Sequence, residues 1–302
     1  MGTWRSVTHP SRRQASIIAA ATCGGCGFRV FAKTLLAGEG DTAEDRAAHE
    51  FETASRLYAA AAGAPPRLVP RPIALSGSTI VYEFIHEPTL LELLRRGTME
   101  QKRRAMRETG EWFARFHELD MRGSGSGDFV QKHATIAERF ATTGRVPGVA
   151  VQALDELGRS AEQLSSRRSD IVAVHGDAKP ANFMVTDDGV LAVDVDGHFS
   201  NVREMDLAQF LVQTDIALAG PLGNSEDRLS DELEPEFLAG YAMHATMARG
   251  ALDWWKTYFW LSFWTTARQQ GALRGLRVSR LCRRRVSSKI AGTDIPAKSR
   301  RA

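Results

Sequence analysis

Apolar and polar positions change their spacing about a third of the way along the chain. Up to Ile85 the apolar runs are short. Residues 16–22 and 28–36 are strand-length runs joined by Cys-Gly-Gly-Cys-Gly, which predicts a hairpin. Residues 38–41 read as a turn. Residues 42–62 read as a helix, because Ala47, Phe51, Ala54 and Leu57 return at helical spacing. Pro65-Pro66 stops it, and residues 70–73 and 79–85 read as two more strands.

Beyond Pro88 the period becomes helical. Helices are predicted over 89–96, 99–119, 136–142, 149–165, 204–219, 232–247 and 252–269. Three strand-like runs, 171–174, 183–185 and 191–195, interrupt them. No internal repeat is visible. The expectation is an α+β protein of two lobes, with a small antiparallel-sheet lobe over 1–86 and a larger, mainly helical lobe over 87–272. Residues 273–302 are expected to be a basic, solvated and partly disordered tail.

Composition adds limits. A chain of 302 residues with 43% hydrophobic and 25% charged residues can bury one large core or two modest ones. The net charge of +3 hides an asymmetry: from Leu273 onward there are ten Lys/Arg and one acid (Asp294), a net of +9, which leaves −6 on the first 272 residues. An acidic body argues against a nucleic-acid partner, whereas the tail offers weak contact with an anionic surface. Cys23 and Cys26 form a CxxC, but Cys282 is the only other cysteine, so a four-thiolate zinc site cannot be assembled. That motif reads as a glycine turn with incidental thiols. Met1-Gly2 with Ser6 fits a myristoylation pattern, and Arg12-Arg13 before an apolar run of about seven residues imitates an export signal. Both patterns are short, no run approaches the ~18 apolar residues of a membrane span, and the expected location is cytoplasmic.

The chemistry concentrates in residues 174–207. An apolar run delivers His175-Gly176-Asp177, Asn182 follows five residues later, and a second apolar run ends at Asp194-Val195-Asp196. Phosphoryl transfer needs a carboxylate at the attacking hydroxyl, oxygen ligands for a divalent cation, and cations on the phosphates. Asp177 suits the first task. Asn182 and Asp194 suit the second, since magnesium is a hard cation that retains several waters. Asp196 reads equally as a second metal-side carboxylate or as part of a turn.

The run HGDxxxxN, an Asp-x-Asp beginning at Asp194, and Asp206-Leu207-Ala208 twelve residues after it together resemble the aminoglycoside phosphotransferase/choline kinase family, within the protein-kinase-like fold. The resemblance implies ATP and Mg2+ as cofactors and a small hydroxylated acceptor. It implies that Lys33 holds the nucleotide phosphates and pairs with Glu50, and that the Glu83 carbonyl and Ile85 amide meet adenine. His175 and Asp206 become structural braces of the site. The phosphate-covering loop departs from the pattern: the segment Ser11-Arg12-Arg13-Gln14-Ala15 has no glycine, which leaves Ser11 and the arginines to meet the phosphates. Lys179 is more typical of protein kinases and is positioned to contact the transferred phosphate, yet HRD, DFG and APE elements are absent. A non-catalytic nucleotide-binding module and a protein kinase therefore stand as alternatives.

Two further clusters have plain readings. The aromatics between Trp254 and Trp264 make a wide apolar helix face suited to packing. The acids from Glu226 to Glu236 read as a solvated loop and helix start in preference to a cradle for a polycation.

Overall fold

The computed structural model describes residues 4–6, 11–12, 16–37, 42–61, 66–144, 146–195, 197, 199–219, 227–269 and 273–291. Strands β1 (Trp4–Ser6), β2 (Ser11–Arg12), β3 (Ser16–Cys23), β4 (Arg29–Leu35), β5 (Pro72–Ser76) and β6 (Thr79–Glu83) form an antiparallel sheet. Its order is β1-β3-β4-β6-β5, with β2 also paired to β3. Helix α1 (Ala43–Ala60) packs on β4, β5 and β6. Its N-terminus is capped by Thr42, whose hydroxyl accepts from the Asp45 amide. Ala47 and Ala54 of α1 meet Leu35, Ile80 and Tyr82 of the sheet in a small core.

The second lobe is mainly helical. It comprises α2 (Leu90–Arg96), α3 (Met99–Leu119), β7 (Met121–Gly125), α4 (Phe129–Thr142), α5 (Gly148–Ser165), β8 (Ser169–Ala173), a single 3₁₀ turn (Pro180–Asn182), β9 (Phe183–Thr186), β10 (Gly189–Ala192), β11 (Ser200–Val202), α6 (Arg203–Leu218), α7 (Asp227–Ala242), α8 (Arg249–Gln269) and α9 (Leu273–Ile290). Capping boxes start α2 (Thr89 with Glu92) and α3 (Thr98 with Gln101). Helices α3 and α7 approach closely through glycine. A Cβ on Gly110 would lie 2.0 Å from the Phe237 carbonyl oxygen, and one on Gly240 would lie 2.0 Å from that of Arg107.

The aromatic face of α8 is core. Trp254, Trp255, Trp260 and Trp264 are buried, and the Trp254 indole N–H donates to the Leu157 carbonyl. Among the described residues no helix is long and apolar enough to cross a membrane.

The structure departs from the sequence reading in several places. Strands β1, β2, β7 and β11 were not foreseen: they are short, and pairing with neighbours creates them more than any apolar alternation does. Helix α4 begins seven residues earlier than expected, at Phe129, and α7 runs over 227–242 in place of 232–247. The largest correction concerns the tail, because Leu273–Ile290 is helix α9 and packs on α8 and α5. Leu281, Cys282 and Val286 are buried on its inner side, and Arg285 pairs with Asp215 of α6 and Asp231 of α7. Its high charge concealed that inner face. Residues 292–302 and the N-terminal Met1-Gly2 pattern lie outside the described residues.

Truncating Leu281 to Ala should cost about 2–4 kcal/mol of unfolding free energy in denaturant titration, the range for a buried leucine. Arg283→Ala, at an exposed site on the same helix, should stay within about 0.5 kcal/mol. Equal effects at both positions would deny that α9 is part of the core.

Candidate active site

Lys33 sits in β4 opposite Ile80 of β6, at the centre of the small sheet. Its ammonium donates to both oxygens of Glu50 on α1, at 2.9 and 2.7 Å, and to Asp194 Oδ1 at 2.9 Å. Burial opposes the charge on Lys33, but Glu50 and then Asp194 outweigh it and hold its pKa above the ordinary lysine value. Tyr82 donates its hydroxyl to Glu50 Oε1 at 3.1 Å. Burial, followed by the Glu50 carboxylate, raises the Tyr82 pKa and keeps the phenol protonated. Nothing in the local sequence of Tyr82 places it beside Glu50, thirty-two residues away.

The loop after β8 carries His175, Asp177, Lys179 and, on the 3₁₀ turn, Asn182. Asn182 is buried, and its Nδ2 donates to the Asp177 carbonyl at 3.0 Å and to Asp177 Oδ2 at 3.3 Å. With Nδ2 engaged there, Oδ1 is the oxygen of its amide left to accept from or bind another group. Lys179 Nζ pairs with Asp177 Oδ2. Strands β9 and β10 pair Phe183 with Ala192, and the Val193 amide continues the pairing to the Asn182 carbonyl at 2.8 Å. That hairpin sets Asn182 and Asp194 side by side although they are twelve residues apart. Asp194 itself adopts φ 58°, and it is the one described non-glycine residue with positive φ. The left-handed region costs a non-glycine residue on the order of 1–3 kcal/mol and is typical of functional turns. Here the turn breaks β10 short of its predicted end and accompanies the pairing of this carboxylate with Lys33.

A buried network braces the loop. Asp206, on the first turn of α6, accepts the His175 backbone N–H at 2.8 Å. His117 of α3 lies 3.3 Å from the same oxygen and 3.1 Å from the Tyr241 hydroxyl on α7. The His175 ring is fully buried, packs near Trp112 and Phe183, and accepts the Asp177 amide at Nδ1. Burial holds its pKa below the ordinary 6.5, against the pull of Asp206, so the ring is neutral.

Between the lobes lies a cleft of about 260 Å3. Ile18, Phe31, Val69 and Met184 form apolar walls, and Lys33, Glu50, Asn182 and Asp194 lie along the same cleft. Glu83, Phe84 and Ile85, at and just beyond the end of β6, also line it. The Glu83 side chain accepts from the Arg71 amide at 2.8 Å and pairs with Arg67, which ties the end of β6 to the segment before β5. Val69 and Met184 carry no chemical signal in the sequence, and only the fold brings them here. Of the site residues named from the sequence, Lys33, Glu50, Glu83, Ile85, Asn182 and Asp194 line this cleft, whereas Asp177 and Lys179 do not and join it through Asn182; of Ser11 only the backbone pairing with Ile18 is described, and Arg13, Gln14, Ala15 and Asp196 lie outside the described residues. Among the described residues no group of three His, Cys, Asp or Glu side chains converges as a metal cage. An Asn-plus-Asp donor set suits a hard cation that keeps its waters. Three of the acids near Glu226–Glu236 are already neutralised: Asp231 by Arg285, Glu234 by Lys256 and Arg249, and Glu236 by Arg107.

The family model described as phosphotransferase enzyme family (APH) matches residues 38–252. No curated protein matches in sequence. Among solved structures, the amicoumacin kinase hAmiN in complex with AMP-PNP, Ca2+ and Ami aligns at 14% identity over 93% of this chain and 88% of that one, with a TM-score of 0.61. A choline/ethanolamine kinase family protein from Mesorhizobium loti aligns at 14% identity over 95% and 90%, with a TM-score of 0.62. The choline kinase LicA from Streptococcus pneumoniae aligns at 13% identity over 96% and 93%, with a TM-score of 0.58.

Stability should depend on pH through His175. Its folded pKa is depressed, so its contribution is complete above pH 6.5 and is lost as the pH falls below that value. One such proton gives a slope of at most about 1.4 kcal/mol per pH unit. Denaturant unfolding between pH 7.5 and 5.5 should therefore show a shallower slope for His175→Asn than for the native chain, and an unchanged slope would contradict a buried neutral ring.

Proposed function

The chain belongs to the phosphotransferase enzyme family, and from that premise we propose that it moves the terminal phosphoryl group of ATP to a hydroxyl of a small molecule or sugar. The carrying observation is the convergence of Lys33, Glu50, Asn182 and Asp194 on one cleft, with Asp177 tied to Asn182 at its edge.

The apolar walls receive adenine, with the Glu83 carbonyl accepting from it and the Ile85 amide donating to it. Lys33, held by Glu50, neutralises phosphate oxygens. Asp177 is half exposed, as a group that meets an incoming acceptor must be. Its carboxylate orients the hydroxyl and takes its proton as the oxygen–phosphorus bond forms and the bond to the ADP oxygen breaks. Lys179 adds a cation beside the transferred group. Asn182 Oδ1 and the Asp194 carboxylate would hold Mg2+, which would supply charge neutralisation at the phosphates. His175 and Asp206 touch no substrate; they hold the loop. Cytosolic ATP and Mg2+ would serve this chemistry.

Solved relatives of the fold carry amicoumacin, choline or spectinomycin in their names. Such diversity is consistent with acceptor choice residing in loops outside the shared motifs. A panel of small alcohols and sugars, run beside generic protein substrates with labelled ATP, tests the reading. Label in a small acceptor supports it. Label only in protein would replace it with a protein kinase, and tight ATP binding with no transfer to any acceptor would replace it with a nucleotide-binding module.

Asp177→Asn should lower kcat by about 10²–10⁴-fold, the usual worth of a positioned base, and leave the ATP dissociation constant within about threefold. Retained turnover would remove Asp177 from its role. Asp194→Asn should abolish the magnesium dependence of nucleotide affinity, measured by calorimetry with and without chelator. Glu50→Gln should raise the KM for ATP more than it lowers kcat, because it loosens the lysine that holds the phosphates.

A further inference from the structure

The CxxC motif is a pair of reactive side chains that the phosphotransfer site does not use. Cys23 ends β3, and Cys26 lies in the turn that leads to β4. Two backbone bonds close this apex: the Cys23 amide donates to the Phe28 carbonyl at 2.8 Å, and the Gly27 amide to the Cys23 carbonyl at 3.0 Å. Gly27 adopts φ +72°, and nothing lies within 4 Å of a Cβ built on Gly25 or Gly27. The glycines thus serve the turn. That turn brings Cys26 back beside the end of β3 that carries Cys23. Cys26 is exposed and Cys23 partly so, whereas Cys282 is buried in the core.

We propose that Cys23 and Cys26 form a reversible dithiol–disulfide site at the tip of the β3–β4 hairpin, with a small-molecule or protein disulfide as the oxidant. The Cys23 thiolate attacks one sulfur of the oxidant, and the far sulfur leaves as a thiolate that takes up a proton. The Cys26 thiolate then attacks Cys23 in the mixed disulfide, forming the intramolecular S–S bond and expelling the second thiolate. One dithiol and one disulfide become one disulfide and two thiols, so atoms and electrons balance.

Three features favour the pair over an incidental turn. The turn closed by the Gly27 amide on the Cys23 carbonyl already holds both cysteines at one apex of the hairpin, beyond the paired strands. Only Gly24 and Gly25 separate the thiols, which gives the second attack a high effective concentration. The Cys26 amide, then the Gly25 amide and the Cys26 thiol, also lower the Cys23 pKa, as an attacking thiol requires. The position matters as well. Arg29, six residues after Cys23, stacks its guanidinium 3.9 Å from the Phe84 ring and donates to His86 Nδ1 at 3.0 Å, so the hairpin leans on the segment after β6.

Full-length protein is equilibrated with reduced and oxidised glutathione at several ratios, trapped with an alkylating agent, and read by peptide mass spectrometry. The expected result is a loss of two hydrogens on the peptide containing Cys23 and Cys26, reversed by dithiothreitol, with Cys282 reduced throughout. Cys26→Ser should instead accumulate a glutathione adduct on Cys23, because the resolving thiol is missing. The proposal is overturned if the native chain itself stops at the glutathione adduct, if it links to a second copy, or if the pair stays reduced in excess oxidised glutathione.

Discussion

A lysine that enters a protein interior must find carboxylates there, and Lys33 finds two. Its ammonium is shared between Glu50 on the helix of the small lobe and Asp194 on a loop of the large one. Burial alone would neutralise it, but the paired charges reverse that tendency. One side chain thereby ties the sheet, α1 and the second lobe together at a single point. The left-handed backbone at Asp194 is energetically reasonable because it ends in this contact. Tyr82 completes the arrangement by donating to Glu50, so the carboxylate that holds the lysine is itself held.

The large lobe answers the same need on its side of the cleft. Its aromatic core, with Trp112, Phe113, Phe116, Phe183 and Phe210 in mutual contact, forms a stiff floor under the loop from His175 to Asn182. Several polar groups inside that floor are paired, although His175 Nε2 and Asp206 Oδ1 are buried there with no hydrogen-bond partner among the described residues. Asp206 accepts the His175 amide, and His117 connects it to Tyr241. A loop pinned by its backbone at one end and by a β-hairpin at the other has little freedom where Asp177 and Asn182 stand. A fold of this kind serves phosphoryl transfer well, since that chemistry asks mainly for position and charge.

Helix α9 shows how charge can mislead. Its arginines made the segment read as an extension in solvent, yet Leu281, Cys282 and Val286 lie along one side and seat it on α8 and α5. Arg285 joins α6 to α7 through Asp215 and Asp231 and is structural, not free to attract an anionic surface. Asp231, Glu234 and Glu236 of α7 are likewise paired with cations of neighbouring helices, which weakens any reading of them as a cradle for a polycationic acceptor.

The two-lobed α+β division was legible because hydrophobic spacing changes from strand-like to helical near Pro88. Asp177, Asn182 and Asp194 could be proposed because phosphate chemistry constrains residue type and spacing along the chain, and the ion pair between Lys33 and Glu50 that the family resemblance implied is present. Local sequence carries both kinds of information: periodicity dictates which face is apolar, and motif spacing fixes which groups a turn can bring together. Tertiary structure alone decided the rest. Tyr82 meets Glu50, Val69 and Met184 wall the cleft, and His117 reaches Asp206 only after strands and helices distant in sequence have packed. The short strands β7 and β11 exist because β8 lies between them. Those contacts depend on which surfaces meet, and single-chain patterns of type and spacing hold no record of that.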